Sequence, residues 1–506
     1  MTEPPTPATL IELLHTAPGG ATAVILPESN AQVTYAALRE EVLGMAGAFA
    51  AAGIGRGDRV AIALPNGLPA IVSFLAAAAA GTAAPLNPAY RFEEFSFYLE
   101  DTAAKLLVVP AEGAEEARRA ATGRCPVAIA EMDSGGRSVI REARGGRTAP
   151  APAPEDVALV LHTSGSTGRP KRVPLAHVNL CVSARNVAQT YRLDAGDVSL
   201  CVMPLFHVHG LVASTLATLL TGGALVVPAR FNPLSFWRTL RDWRVSWYSA
   251  VPTIHQLAIA RAAAGRPEGA KTLRFVRSCS AALPVDLGRR IEETLGVPVL
   301  EAYGMTEAAH QMASNPLPPG ARRLGTVGPG TGVEIAILGE QGGWMPAGAA
   351  GEVVIRGPNV IRGYENNPEA NAGSFVAGWF RTGDQGVLDA DGYLRLTGRL
   401  KEMINRGGEK ISPVEIDDVL RAHPAVAEAV AFGAPHAGWG EEVEAVVVLR
   451  EPAEAADILA HCRRALADFK CPKKIHIAAE IPRTATGKIQ RLNVARVYAG
   501  GADARS

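Results

Sequence analysis

A short apolar run followed at once by a loop of small polar residues is the feature that most constrains this chain. The run, Val-Ala-Leu-Val-Leu at 157–161, is typical of a buried strand. Residues 162–171 then read His-Thr-Ser-Gly-Ser-Thr-Gly-Arg-Pro-Lys. Glycines let the backbone approach a ligand, hydroxyl and N–H groups donate hydrogen bonds, and the two cations neutralise negative charge. The pattern predicts a phosphate-binding turn, although a polar surface turn fits the loop taken alone.

The spacing of the glycines disfavours two common classes of nucleotide-binding protein. A Walker loop requires Gly-x-x-x-x-Gly-Lys-Ser/Thr, and counted from Gly165 its second glycine would fall at Pro170. The glycine cluster at 325–330 lacks the Gly-x-Gly-x-x-Gly spacing of a dinucleotide-binding turn. P-loop NTPases and Rossmann dehydrogenases are therefore disfavoured.

Short apolar runs alternate with alanine-rich helical segments through residues 1–155, as at 59–64 and 105–109, and the pattern repeats through 156–320. Such alternation is typical of an α/β fold with mostly parallel strands. The glycine-rich stretch 325–397 carries turn signals at short intervals and predicts a small β subdomain.

The character of the sequence changes again after Arg399, where a compact module begins. Residues 414–423 have the apolar spacing of an amphipathic helix. We therefore predict an α/β protein in two domains. The first, 1–398, contains parallel-rich sheets and the β subdomain, and the second, 399–506, is a small α+β domain.

The charge balance and the cysteines limit the partners and the compartment. Fifty Lys and Arg residues balance fifty Asp and Glu residues, so no overall field attracts nucleic acid or acidic membranes. The alanine-rich window 70–86 is short for a membrane span of about 20 residues and predicts a buried helix. The six cysteines form no Cys-x-x-Cys pair, as in reduced cytosolic proteins. We expect a cytoplasmic monomer or homodimer with no integral membrane segment and no nucleic-acid partner.

Four further polar clusters follow the loop, at 301–307, 379–384, 398–402 and 482–489, and the first of them comes directly after the apolar run 297–300, which predicts a strand. Each alone fits a turn or a helix cap. Together, over nearly the whole chain, they resemble the adenylate-forming superfamily of acyl-CoA synthetases, firefly luciferases and peptide-synthetase adenylation domains. The resemblance implies a mobile C-terminal domain and two half-reactions. A carboxylate first attacks the α-phosphorus of ATP, and a thiol then displaces AMP from the acyl-adenylate.

The resemblance also implies an ATP site. The loop and Lys171 would hold the β- and γ-phosphates, and Thr306 would bond the α-phosphate. Tyr303 would pack on the adenine, and Asp384 with Arg399 would bind the ribose. The nucleotide-binding residues implied in this way are Thr163, Ser164, Gly165, Ser166, Thr167, Gly168, Lys171, Ala281, Ala282, Glu301, Tyr303, Gly304, Asp384 and Arg399.

Metal, lysine and CoA positions follow from the same resemblance. Glu307, with Thr167, would hold the Mg²⁺ that accompanies ATP, since Mg²⁺ prefers oxygen ligands and bridges phosphates. Lys488 would stabilise charge on the α-phosphate and the carboxylate during adenylation, and Lys401 matches the hinge between the domains. The catalytic set is Lys488, Thr306, Glu307 and His207, and the positions facing the CoA pantetheine are Gly407, Gly408 and Glu409.

Within the superfamily, stretches at 277–283, 303–318, 405–413 and 487–491 resemble the oxalate–CoA ligases of plants and fungi. Oxalate carries a second carboxylate, which needs hydrogen-bond donors because a buried unpaired carboxylate is very costly. His207 also matches a position that often gates the acyl pocket. The candidate donors are His207, His209, Ser280 and His310, although His209 also fits a packed core histidine and His310 a satisfied loop histidine.

The leading hypothesis is an ATP-dependent, AMP-forming ligase that converts oxalate, CoA and ATP to oxalyl-CoA, AMP and pyrophosphate. One alternative is a ligase for another short dicarboxylic acid, such as malonate, or for a medium-chain fatty acid. Another is a non-catalytic adenylate-binding module. No serine-bearing carrier motif follows the small domain, so the expected acyl acceptor is free CoA.

Overall fold

The computed structural model describes residues 7–140, 149–163, 170–262, 265–483 and 489–499. The helices are α1 Leu10–Leu13, α2 Tyr35–Ala51, α3 Leu68–Ala80, α4 Phe92–Asp101, α5 Glu115–Ala121, α6 His177–Tyr191, α7 Ala217–Leu220, α8 Phe236–Asp242, α9 Pro252–Ile259, α10 Val285–Leu295, α11 Pro368–Ser374, α12 Pro413–Arg421, α13 Ala455–Ala465 and α14 Arg491–Ala499. Short 3-10 turns span Glu268–Ala270, Thr306–Ala308 and Leu400–Glu402, and a π-helix spans His209–Leu216.

The strands are β1 Thr22–Leu26, β2 Ala31–Thr34, β3 Arg59–Ile62, β4 Thr82–Pro85, β5 Leu106–Val109, β6 Val127–Met132, β7 Ser138–Ile140, β8 Val157–Thr163, β9 Lys171–Ala176, β10 Val198–Cys201, β11 Ala224–Val226, β12 Trp247–Ala250, β13 Phe275–Ser278, β14 Val299–Met305, β15 His310–Ser314, β16 Glu334–Leu338, β17 Ala350–Arg356, β18 Phe375–Val376, β19 Trp379–Leu388, β20 Leu394–Arg399, β21 Ile404–Arg406, β22 Glu409–Ile411, β23 Val426–His436, β24 Gly440–Leu449 and β25 Lys474–Ala478. The chain divides into two compact units, Met1–Glu334 with Ile355–Phe380 and Ile335–Val354 with Arg381–Ser506.

Two sheets organise the first unit. One runs in the order β15-β14-β13-β12-β10-β11-β1-β2 and the other in the order β7-β6-β5-β3-β4-β8-β9. Their inner strands pair in parallel, and antiparallel strands lie at the edges. Parallel neighbours need crossover connections, and helices supply them while covering apolar strands on both faces. The predicted α/β class with mostly parallel strands is confirmed.

Helix α3 is the buried helix expected in the alanine-rich window. Twelve of its thirteen residues are buried, because alanine side chains let neighbouring elements approach closely. The helix ends at Gly81, where a Cβ atom would lie only 2.6 Å from the carbonyl oxygen of Asp58. Residues 82–85 then form β4 instead of continuing the helix, so the helix predicted over 70–86 was extended too far at its C-terminal end.

His177, the first residue of α6, joins three helices through a neutral imidazole. Its Nδ1 accepts a hydrogen bond from the Leu10 N–H of α1 at 3.2 Å, and its Nε2 donates to the Ala78 carbonyl of α3 at 3.1 Å. Burial lowers the pKa of His177 to about 4. The folded protein therefore keeps this ring neutral in mildly acidic solution, where an unfolded chain would protonate it.

We expect this histidine to contribute about 3 kcal/mol to the loss of unfolding free energy between pH 7 and pH 4. The folded pKa lies below the unfolded one, so the contribution is fully present above pH 6.5 and is lost as the pH falls towards 4. Urea unfolding of His177→Gln should show a correspondingly shallower acid dependence. An exposed-site control, His15→Gln, should keep the wild-type dependence, and an unchanged slope in His177→Gln would contradict the assignment.

In the second unit, β22-β21-β24-β23 form a sheet, with β25 parallel to β24. Alternate residues of β23 and β24 face two apolar clusters, one with α12 and α13 and one with α14. Successive side chains of a strand point to opposite faces of the sheet, so a sheet covered on both faces buries both sets of side chains. Helix α12 confirms the amphipathic helix predicted at 414–423.

Strands β16 to β20 confirm the predicted strand-rich subdomain. Asp384 pairs with Arg399 and Gln385 with Gly398, so the β19–β20 ladder runs up to the expected domain junction. This pairing explains why the compact units do not divide at 398/399. That the chain bends at 398/399 when the domains move stays a prediction.

Within the described residues, no helix is long and apolar enough to cross a membrane. All six cysteines are free thiols.

Candidate active site

The polar loop is flanked by two strands of one hairpin. Thr163 is the last residue of β8 and pairs with Lys171, the first residue of β9. The two ends of the loop therefore lie side by side at the edge where β8 ends. The predicted phosphate-binding residues between them lie outside the described residues, and these are Ser164, Gly165, Ser166, Thr167 and Gly168.

Glu307 lies against this hairpin and is only 5% exposed. Its Oε1 accepts hydrogen bonds from the Tyr364 hydroxyl at 2.8 Å and the Thr163 hydroxyl at 3.4 Å. The Lys171 Nζ lies 4.5 Å from the centre of the Tyr364 ring, a cation–π distance. Sequence reasoning placed Thr163, Lys171 and Glu307 in one site, and the structure brings these three together. It adds Tyr364, which the sequence analysis missed because no motif singled it out.

The backbone around Glu307 is tightly turned. Strand β14 ends at Met305, the Thr306–Ala308 turn follows, and Ala309 and His310 have φ values of 50° and 113°. A Cβ atom on Gly304 would lie 2.2 Å from the His310 carbonyl oxygen, so the antiparallel return of β15 requires glycine there.

The predicted nucleotide residues Glu301, Tyr303 and Gly304 lie within β14, whereas the sequence analysis expected their cluster to follow a strand. The strand continues because β15 folds back and pairs with it antiparallel. The Leu283 N–H donates to the Glu301 carboxylate at 3.3 Å. Ala281 and Ala282 are exposed between β13 and α10.

The four predicted acid-binding residues also lie in the first unit. His209 is fully buried at the start of the π-helix, a form that often marks functional sites. Its Nδ1 lies 2.9 Å from the Ser280 Oγ, and its Nε2 lies 2.6 Å from the Ser249 Oγ. The ring centroids of His209 and His310 lie 5.1 Å apart.

His207 is half-buried, and its Nδ1 accepts the His209 N–H at 3.2 Å. The structure thus brings His207, His209, Ser280 and His310 into one cluster, which we call the histidine cluster.

The pKa values of His209 and His310 are held well below the ordinary value. Burial is the main cause for both rings, and the positive charge of Arg277 is the next. Both imidazoles are therefore neutral at neutral pH, and each offers one N–H donor and one acceptor nitrogen. Within the cluster, His209 and His310 thus act as neutral hydrogen-bonding groups and not as imidazolium cations.

In the second unit, the Arg399 Nε lies 2.9 Å from the Asp384 carboxylate. Lys401 is exposed in the Leu400–Glu402 turn. The predicted adenylation residue Lys488 lies outside the described residues.

The predicted CoA positions form the exposed turn between β21 and β22. Gly407 and Gly408 have φ values of 60° and 97°, which favour glycine. The Gly407 N–H donates to the Trp439 carbonyl at 2.8 Å. A Cβ atom on Gly407 would lie 2.7 Å from the Trp439 ring, and Glu409 begins β22.

Comparison with known proteins relates these features to one family. Residues 14–365 match the AMP-binding enzyme family, and residues 415–488 match the AMP-binding enzyme C-terminal domain. The chain is 48% identical to an oxalate–CoA ligase of Arabidopsis thaliana, over 88% of this chain and 90% of that protein. It is 42% identical to an oxalate–CoA ligase of Saccharomyces cerevisiae, over 94% of each chain.

Solved structures agree with the sequence comparison. The ATP-bound MatB protein of Rhodopseudomonas palustris superposes with a TM-score of 0.90 at 30% identity, over 97% of this chain and 99% of that one. The O-succinylbenzoate coenzyme A synthetase of Bacillus subtilis, solved with ATP and a magnesium ion, gives a TM-score of 0.85 at 29% identity, over 96% of this chain and 98% of that one. The chain thus belongs to the AMP-binding enzyme family.

Proposed function

We propose that oxalate is the acid that this AMP-forming acid–CoA ligase joins to CoA. The observation that carries the proposal is the buried histidine cluster, which supplies polar groups where an aliphatic acid would need an apolar wall. The two oxalate–CoA ligases that resemble the chain over most of its length support it independently.

The reaction proceeds in two displacements. An oxalate oxygen attacks the α-phosphorus of ATP, forming the acyl-phosphate bond of oxalyl-AMP as pyrophosphate leaves. The CoA thiolate then attacks the acyl carbon, forming the thioester as AMP leaves and the thiol proton passes to solvent. Splitting the reaction in this way replaces one poor leaving group, oxide, by two good ones.

The flanks of the loop hold the departing phosphates in this proposal. Lys171 neutralises charge on pyrophosphate, and its contact with the Tyr364 ring limits the positions of its ammonium group. Thr306 lies just before Glu307 in the turn after β14 and donates to the α-phosphate. Tyr303 packs on the adenine, beside Ala281, Ala282 and Gly304.

The residues around Glu307 fit a magnesium ion brought in by ATP. Mg²⁺ in phosphate-transfer sites is held by one or two carboxylates together with phosphate oxygens. Glu307 offers one buried carboxylate, and the Thr163 and Tyr364 hydroxyls orient it. The bound ion would neutralise charge developing on the phosphates. Thr167 stays a candidate ligand from the sequence.

Residues of the second unit complete the assignment. Asp384, oriented by Arg399, accepts hydrogen bonds from the ribose hydroxyls. Lys488 stabilises the α-phosphate during adenylation, and Lys401 absorbs the backbone rotation of a domain that moves about 398/399. Gly407, Gly408 and Glu409 present the exposed β21–β22 turn to pantetheine. The free thiols fit a cytoplasmic enzyme.

The histidine cluster binds the carboxylate of oxalate that does not react. Ser280 and the His310 Nε2–H donate hydrogen bonds to it, His209 holds Ser280 in place, and His207 lies at the less buried side of the cluster. A medium-chain fatty acid fits poorly, since its alkyl chain would cover these polar groups without accepting a hydrogen bond from them.

The first test is CoA-dependent AMP release with Mg-ATP and a panel of oxalate, malonate, acetate and octanoate. We expect selective turnover of oxalate. Turnover of malonate or octanoate in its place would keep the ligase chemistry and overturn the acid. Absence of pyrophosphate release with every acid would favour the non-catalytic adenylate-binding module.

Tyr364→Phe is expected to raise the magnesium concentration needed for half-maximal adenylation by about tenfold, because one hydrogen bond that orients the Glu307 carboxylate is lost. The ring and its contact with Lys171 remain, so the KM for oxalate should not change. Oxalate-dependent exchange of labelled pyrophosphate into ATP measures both quantities. Tyr393→Phe, in the second unit, is the matched control. An unchanged magnesium requirement would contradict the orienting role of Tyr364.

A further inference from the structure

Arg277 lies in the eight-stranded sheet of the first unit. It belongs to β13, which is paired in parallel with β12 on one side and β14 on the other. Its side chain is fully buried. It is the first residue of the stretch 277–283 that resembles the oxalate–CoA ligases, and no motif assigns it a role.

The hydrogen-bond partners of Arg277 are all neutral. Its Nε donates to the Tyr191 hydroxyl at 2.8 Å, and its Nη1 donates to the Ser249 Oγ at 2.9 Å. Its Nη2 donates to the Gln311 Oε1 at 3.0 Å and lies 3.4 Å from the His310 Nδ1. Within the described residues, no carboxylate forms an ion pair with this guanidinium.

Another arginine of the same chain, with a largely buried side chain, shows the usual alternative. Arg491 pairs with the carboxylates of Asp417 and Glu402. A guanidinium stays protonated even when buried, and a buried charge without a counter-ion is costly. The neutral surroundings of Arg277 are therefore expensive for the folded protein unless an anion arrives.

The network leads from Arg277 directly to the histidine cluster. Ser249 contacts both Arg277 and the Nε2 of His209, whose Nδ1 contacts Ser280. A guanidinium can only donate, so the His310 Nδ1 must accept and the His310 Nε2 must carry the ring proton. Arg277 thereby keeps His310 available as a donor.

We propose that Arg277 is a positioning residue that makes the site selective for a dianion. Neutral donors of the histidine cluster contact the second carboxylate of the acid, while the buried guanidinium behind them supplies the compensating positive charge. This inference rests on the proposed function and adds the physical basis of its selectivity. Because the charge acts through a low-dielectric interior, it discriminates by the number of charges on the acid as well as by shape.

The test compares oxalate with oxamate, in which a neutral carboxamide replaces one carboxylate. In Arg277→Gln we expect kcat/KM for oxalate to fall by about 100-fold, mainly through KM, with the oxamate inhibition constant changing by less than about threefold. The KM for ATP should stay at its wild-type value. An equal loss for both compounds, or no loss for oxalate, would overturn the inference.

Arg274→Gln is the matched control, since Arg274 lies one residue before β13 and pairs with Asp197 away from the histidine cluster. It should leave the preference for oxalate over oxamate unchanged. If Arg277→Gln does not fold, Arg277→Lys replaces it, because lysine keeps the positive charge. An Arg277→Lys variant that folds and binds AMP should still prefer oxalate over oxamate. Loss of that preference in this variant would overturn the inference.

Two failures remain distinguishable. A wild-type protein that does not turn over oxalate overturns the proposed function. A wild-type protein that does so, with an Arg277→Gln variant that still prefers oxalate, overturns the role of Arg277 alone.

Discussion

Glu307→Gln is expected to lower the rate of oxalyl-AMP formation by about 1,000-fold at saturating ATP and oxalate. The substitution keeps the size of the side chain and removes its negative charge. The Tyr364 and Thr163 hydroxyls that donate to the carboxylate would then face a neutral amide. A magnesium ion brought in by ATP would lose the carboxylate proposed to hold it, and the leaving pyrophosphate would lose charge compensation.

Pyrophosphate exchange over a range of magnesium concentrations measures this effect. We expect the loss to persist at high magnesium, because the orientation of the ion is lost as well as its affinity. Glu334→Gln changes an exposed glutamate that pairs with Arg356 and is the matched control. Wild-type exchange in Glu307→Gln, with intact folding, would remove Glu307 from the catalytic set.

His310→Ala and Ser280→Ala are each expected to lower kcat/KM for oxalate by about 100-fold, with little change in the KM for ATP. Each removes a donor to the second carboxylate and leaves a buried charge short of partners. His310→Ala also leaves the Nη2 of Arg277 with one partner fewer. An enzyme built for a fatty acid would tolerate both changes.

Steady-state kinetics with oxalate and ATP varied in turn separates the two effects. His177→Gln serves as the matched control for replacing a buried histidine, since its ring hydrogen-bonds to the backbone of Leu10 and Ala78 and not to the histidine cluster in the part of the chain that the structure describes. It should keep wild-type kinetics at pH 7.5. Wild-type kcat/KM for oxalate in both His310→Ala and Ser280→Ala would overturn the assignment of the acid site.

The alternation of apolar runs and helical segments predicted the parallel sheets because strand and helix periodicities are local properties of the sequence. Segments 59–64 and 105–109 became β3 and β5 within two residues of the prediction. Pairing between distant strands is not local, and the continuation of β14 through Tyr303 depends on β15 folding back against it. The end of that strand was therefore predicted too early.

The candidate site also combines residues that local sequence predicts with residues that only the folded structure brings together. Motif order pointed to Thr163, Lys171 and Glu307, whose roles depend on residue type and spacing. Tyr364 and Arg277 were missed as functional residues because their importance comes from contacts with residues far away in the chain. A lone arginine in a strand looks structural in sequence, and only its burial among neutral partners indicates a charge held for an anion.

Identifying the intermediate is the direct test of oxalate activation through an adenylate. The protein is incubated with Mg-ATP and carbon-13-labelled oxalate, first without and then with CoA, and the quenched products are analysed by mass spectrometry. We expect labelled oxalyl-AMP and pyrophosphate without CoA, and labelled oxalyl-CoA and AMP once CoA is added. Formation of ADP and phosphate, or oxalyl-CoA without any adenylate, would contradict it.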